Sequence, residues 1–146
     1  MKKMLSFAAA VIFAAAVTAS PVNSPVSKEA LNAFERAFKD ASNVQWKGKE
    51  GLYIASFELN NEKVTAWFTE EGELEAVERS ITQDQLPLLL ARAVAAINDE
   101  AVVTTIKEVN QSGELFYLAK SQTDKHMITY KISADGSVTT FAKKKK

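Results

Sequence analysis

The residues of this chain best suited to chemistry are few and scattered. The one histidine, His126, lies in the stretch Thr123-Asp124-Lys125-His126, directly before a strand. A metal centre needs several converging ligands, and a nucleophilic triad needs a serine positioned beside its base. A solitary loop imidazole offers neither and reads as an exposed surface group. The chain has no cysteine, which excludes disulfides, thiolate metal sites and a lipid-attachment cysteine. The acidic run Glu70-Glu71-Gly72-Glu73, with Glu75 and Glu78 beyond it, lacks the alternating Asp/Asn ligands of a calcium loop and reads as a solvated hairpin tip. Gly48, Gly51, Gly72, Gly113 and Gly136 stand singly at turns, so no phosphate-cradling glycine loop can be assembled. Asn110-Gln111-Ser112 has the form of a glycosylation acceptor, a three-residue pattern too short to carry weight. No catalytic, cofactor-binding or metal-ligating residue is assigned, no cofactor is implied, and the chain is expected not to be an enzyme.

Recognition chemistry is better represented. Side chains alternate between the two faces of a strand. In Val64-Thr65-Ala66-Trp67-Phe68-Thr69 the set Val64, Ala66 and Phe68 is wholly apolar and is assigned to a helix-covered core. Its opposite, Thr65, Trp67 and Thr69, is a mixed surface with one large indole. The candidate partner-binding face joins Ile54, Thr65 and Trp67 to Leu118, Thr129 and Lys131. Aromatic residues are enriched at binding hot spots, although the more ordinary reading is that Trp67 packs across its strand on Ile54 or Leu52. Trp46 reads as a plug in the core.

Two sets of elements must position these residues, and the sequence suggests that they are copies. A shift of 64 positions lays Leu52-Tyr53-Ile54-Ala55-Ser56 on Phe116-Tyr117-Leu118-Ala119-Lys120, and Val64-Thr65-Ala66-Trp67-Phe68 on Ile128-Thr129-Tyr130-Lys131-Ile132. The same shift lays Glu71-Gly72-Glu73-Leu74 on Asp135-Gly136-Ser137-Val138, pairing two acid-Gly turns suited to hairpins. A helix precedes each copy. Ser27 can cap one whose Leu31, Phe34, Phe38 and Ala41 recur at helical spacing. The other begins near Thr82 or Gln85, which together have capping-box form, carries Pro87 in its first turn, and lines up Leu90, Ala93, Val94 and Ile97. Short strands follow, Val44-Gln45-Trp46 opening the first set and Val102 to Val109 the second. Hairpin loops are predicted at 47–51, 60–63, 70–73, 110–114, 121–125 and 134–137. The expected fold class is α+β, a tandem repeat of helix plus antiparallel β-meander with the helices packed on one face of the sheet.

Residues 1–19 read as a cleavable signal peptide: Lys2 and Lys3, an apolar run from Leu5 to Val17, then small residues, with cutting expected after Ala19. The apolar run is shorter than the roughly 20 residues a membrane span needs, so no stable span is expected after cleavage. The remaining divisions are a linker (20–26), a first repeat (27–80), a second repeat (81–142) and a basic tail (143–146). Without the leader the chain carries 16 basic and 18 acidic side chains, a net of −2, and four of the bases are Lys143 to Lys146. An acidic body argues against nucleic acid as a partner.

Taken together, a leader, a helix ending near Phe38, Val44-Gln45-Trp46, Tyr53-Ile54-Ala55-Ser56-Phe57, Ala66-Trp67-Phe68, Gly72, Leu86-Pro87, Tyr117 and Asp135-Gly136 give the chain a family likeness. It resembles the PepSY-like, β-lactamase-inhibitor-like (BLIP-like) exported proteins common in Bacteroidetes, over roughly residues 24–141. Where that family often has a proline after the aromatic closing each helix, this chain has Lys39 and Asn98-Asp99. The resemblance implies a tandem helix-plus-sheet fold, a periplasmic or secreted setting, and a non-catalytic binding or inhibitory module. Its expected partner is a protein met through the open sheet face. The alternative is a periplasmic stress protein that takes a small ligand or metal of the cell envelope in the seam between the halves.

Overall fold

The computed structural model describes residues 25–146, so the leader, its cleavage point and most of the linker lie outside the described residues. The chain runs as helix α1 (Lys28–Ala37), strands β1 (Ser42–Lys49), β2 (Leu52–Leu59), β3 (Glu62–Thr69) and β4 (Leu74–Ile81). A 3-10 turn (Gln83–Gln85) leads to helix α2 (Leu88–Glu100), followed by β5 (Val102–Gln111), β6 (Glu114–Gln122), β7 (His126–Ser133) and β8 (Val138–Lys145). All eight strands form one antiparallel sheet whose spatial order is the chain order, β1 through β8. The two halves meet where β4 pairs with β5 from Ala76↔Gln111 to Ile81↔Ile106.

Both helices lie on the same face. Ser27 starts α1 by accepting the Ala30 amide on its hydroxyl at 3.1 Å, and its own hydroxyl donates to the Glu70 carbonyl at 2.8 Å. The cap thereby fixes the helix and ties it to the β3–β4 hairpin. Ala30 and Phe34 are buried on Ala55, Phe57, Val64, Ala66 and Phe68. Phe34 is the hub of an aromatic cluster, with ring centroids at 5.0 Å from Phe57, 5.3 Å from Trp46, 5.5 Å from Phe38 and 6.2 Å from Phe68. Trp46, on the edge strand β1, is half-buried and packs against the rim of this cluster rather than plugging the core. Helix α2 covers the other half through Leu90, Val94 and Ile97, on Ile81, Ile106, Tyr117, Ala119 and Ile132.

Several boundaries differ from the sequence reading. Thr82 and Gln85 do interact, the Thr82 amide donating to Gln85 Oε1 at 2.8 Å. They close the 3-10 turn, however, and α2 proper begins only after Pro87, which supplies its N-terminal carbonyl to Ala91 at 2.9 Å. Leu31 is exposed, and Ala30 takes the inward position beside Phe34. The loops at 70–73 and 134–137 fall where predicted, and the other four hairpins are tighter: Lys47 to Lys49, for example, pair with Ile54 to Leu52 as part of β1, leaving Glu50 and Gly51 to turn. Lys143 to Lys145 continue β8, paired with Ile128, Met127 and His126, and the Lys146 amide donates to the Lys125 carbonyl at 3.0 Å. Polar edge residues show no apolar period, which is why sequence reading shortened both edge strands.

Candidate functional site

The strand register defines the face away from the helices. Ile54 pairs with Trp67 and Trp67 with Ala76, Ser56 with Thr65 and Thr65 with Glu78. Across the junction Glu78 pairs with Val109, Val109 with Phe116, Lys107 with Leu118, Leu118 with Lys131, and Lys120 with Thr129. The six residues singled out from sequence, Ile54, Thr65, Trp67, Leu118, Thr129 and Lys131, therefore share this face.

No helix covers this face, yet it is not bare. Val109, Phe116 and Leu118 form a cluster only 1%, 4% and 3% exposed, and Trp67 is 8% exposed. The indole is thus not a free surface group; it packs between its cross-strand neighbours, the alternative weighed from sequence. In the second half Lys131 performs the covering. Its ammonium sits 4.1 Å from the centroid of the Phe116 ring and 2.8 Å from Glu114 Oε1, a cation over an aromatic face anchored by an exposed carboxylate.

The structure corrects the reading of Glu78 as part of a solvated hairpin tip: it lies inside β4, in a charged pair at the centre of this face that sequence reasoning missed. Glu78 is buried on this face, and its Oε1 accepts from the Lys107 ammonium across the β4–β5 junction. Glu78 Oε2 is buried and accepts no hydrogen bond from any described residue. A buried, half-satisfied carboxylate is uncommon, because desolvating an anion is costly unless its lone pairs are filled. A sequence signal for the packed centre did exist: Leu115-Phe116-Tyr117-Leu118-Ala119 is apolar at every position, the pattern of a strand buried on both faces.

A second polar network lies on the helix-covered side of the same junction. Arg79 donates to Glu108 Oε1 at 2.7 Å and to Glu62 Oε2 at 2.9 Å, while the Tyr117 hydroxyl reaches Glu108 Oε2 at 3.1 Å and Gln85 reaches Glu62 Oε1 at 2.9 Å. Hydrogen bonds from Gln85 and then Arg79 hold the Glu62 carboxyl below its ordinary value of 4.5. Burial, followed by the bond to Glu108, pushes the Tyr117 phenol above 10.0. Each acid has a donor and Arg79 is clamped on both sides, so these residues stitch the two halves together. His126, expected as an exposed loop group, is instead half-buried as the first residue of β7, its amide donating to Thr123 Oγ1 at 3.0 Å. Among the described residues no group of three or more His, Asp or Glu is placed to hold a metal ion.

The fold is similar to that of several solved structures. A protein of Bacteroides eggerthii provisionally described as periplasmic superposes with a TM-score of 0.74 at 17% identity, over 84% of this chain and 90% of its own. A BLIP-like protein of Bacteroides fragilis gives 0.72 at 17% identity, over 84% and 87%. A DUF2874 family protein of Bacteroides uniformis gives 0.73 at 16% identity, over 84% and 89%. At such identities the likeness shows the fold alone: an open antiparallel sheet with two helices on one face, as in BLIP-like proteins. No family model matches the chain. No curated protein matches it either. No helix among the described residues is long and apolar enough to cross a membrane.

Proposed function

We propose that this chain is an exported, non-catalytic binding module that meets a protein partner through the helix-free face of its sheet, in the periplasm or outside the cell. The observation that carries the reading is the state of that face. Its centre is packed like an interior, with Val109, Phe116 and Leu118 nearly inaccessible although no helix lies over them. Around it stand half-buried residues, Ile54, Thr65, Thr129 and Lys131 among them. A surface held rigid by its own packing loses little freedom on association, the condition that favours specific binding. The leader-like first 19 residues and the periplasmic description of one structural neighbour support the setting.

The two halves are best understood as copies of one PepSY-like unit. The Thr69 amide donates to the Glu73 carbonyl at 2.9 Å and the Gly72 amide to the Thr69 carbonyl at 3.1 Å. Sixty-four positions on, Ser133, Ser137 and Gly136 repeat those bonds at 2.9 Å each. A repeated unit that leaves one sheet face free on both copies yields a continuous recognition surface.

Thr65→Arg with Thr129→Arg tests the reading, because both positions are half-buried on the free face and neither belongs to a core cluster. The expected result is loss of a partner that the unaltered protein retains from envelope extract, at unchanged melting temperature. Full retention of that partner would remove this face from consideration. A helix-side control, Arg92→Glu, is expected to leave retention intact.

A further inference from the structure

The free face sorts charge against the rest of the molecule. Register and alternation place Lys47 and Lys49 of β1, Lys63 of β3, Lys107 of β5, Lys120 of β6, Lys131 of β7 and Lys144 of β8 on this side. Among the residues that the register assigns to a face, Glu58, Glu78 and Glu114 oppose them there, while Glu75 falls in the β3–β4 irregularity. Seven lysines against three glutamates leave the register-paired positions of the face formally at +4, although residues 25–146 as a whole stand at −2. The remaining residues of 25–146, turns included, therefore sum to −6, and the paired positions of this face are basic in an acidic protein.

The three glutamates are already engaged. Glu78 accepts from Lys107, Glu114 from Lys131, and Glu58 from Asn43 Nδ2 at 3.0 Å. Lys47, Lys49, Lys63, Lys120 and Lys144 form no ion pair among the described residues. Lysines on edge strands guard against unwanted strand addition, which accounts for Lys47, Lys49 and Lys144 on β1 and β8. It does not account for Lys63 on β3 or Lys120 on β6, which lie inside the sheet.

Resting on the reading of this face as a protein-binding surface, we infer that its partner is an acidic protein segment, whose carboxylates are met by Lys47, Lys63, Lys120 and Lys144. The aromatic groups at the centre are flush with the surface: Trp67 and Phe116 are too buried to stack unpaired bases or to wedge into a bilayer. What the face does present is ammonium groups around half-buried Leu52, Ile54, Thr65, Met127 and Thr129. That composition suits carboxylates and hydrogen-bonding backbone, with potentials of opposite sign meeting across the interface. Attraction of this kind weakens as salt shortens the screening length.

Selection from a phage-displayed library of random dodecapeptides on the purified protein tests the inference. The expected peptides are enriched in Asp and Glu over the starting library, and their binding weakens with added salt. Against the quadruple variant Lys47→Gln, Lys63→Gln, Lys120→Gln, Lys144→Gln they are expected to bind roughly tenfold more weakly, since each neutralised lysine removes one exposed pair of modest strength. An unchanged circular dichroism spectrum and melting temperature establish that the variant folds. Neutral or basic peptides whose binding is abolished by Thr65→Arg with Thr129→Arg would keep the face and overturn the acidic partner. Peptides that bind that double variant as well as the parent would overturn the face itself, and a selection that returns no binder would overturn both. Lysine-dependent binding to phosphatidylglycerol vesicles without acidic enrichment among the peptides would replace the protein segment with a lipid surface and overturn the inference.

Discussion

The N-terminal and C-terminal halves place the same elements in the same order and fill them differently. Beneath α1 the core is aromatic, with Phe34 at the hub of Phe38, Trp46, Phe57 and Phe68; beneath α2 it is mainly aliphatic, with Leu90, Val94 and Ile97 on Ile106 and Ile132. The contrast repeats on the free face. Trp67 in β3 and Lys131 in β7 lie 64 positions apart and both stand on that side, one shielding its neighbours with an indole, the other with an ammonium over Phe116. One continuous sheet accepts either solution, an indole in β3 or an ammonium in β7, on the same face.

Truncating these two residues sharpens the comparison most. Trp67→Ala removes a nearly buried indole and is expected to cost about 3–5 kcal/mol. Lys131→Ala, which loses one half-exposed pair and a cation over a ring, is expected to cost about 1 kcal/mol or less. Urea denaturation of both variants checks the difference, and equal losses would mean that the two residues do not cover the face in different ways.

A smaller contrast separates the two acid-Gly hairpins. Gly72 and Gly136 share a φ of +85°, so alanine is strained at both. A methyl group on Gly72 would also lie 2.5 Å from the Glu29 carbonyl oxygen in α1, whereas on Gly136 it would meet the Leu89 side chain at 3.1 Å. Backbone cannot yield as an exposed leucine can. Gly72→Ala is therefore expected to cost about 2–4 kcal/mol and Gly136→Ala about 1–2 kcal/mol, read as melting shifts of matching order. Identical shifts would show that α1 is not seated on the hairpin backbone.

The smallest expected effect concerns the junction between the halves. The Glu62 carboxyl is held below 4.5 in the folded chain, so its ionised form favours folding. That stabilisation is complete above the unfolded value and is lost as pH falls through the lower folded value. Glu62→Gln should therefore be less stable than the parent near neutrality, with the gap closing on acidification below about 4.5. Melting curves at a series of pH values measure it; a gap independent of pH would assign Glu62 a packing role only.

Much of this architecture was legible in the sequence because burial on one face leaves a period. Val64, Ala66 and Phe68 announced the covered side of β3, and Leu90, Val94 and Ile97 the inner side of α2. The edges were not legible, because Lys47 to Lys49 and Lys143 to Lys145 are held by backbone pairing on one side alone and need no apolar alternation. Nor was the Glu78–Lys107 pair, whose members are 29 positions apart and meet only through the β4–β5 register. The six candidate residues were found because alternation assigns faces strand by strand. The sorting of charge across the whole face needed the register of all eight strands.

Partner binding through the free face can be tested by site-specific photo-crosslinking in cells that export the protein, with a benzophenone amino acid at Thr65 or Thr129 on the free face, or at Arg92 on α2. The expected result is a discrete crosslinked protein from Thr65 and Thr129 and none from Arg92. A partner captured from Arg92 while both free-face positions stay silent would contradict the account.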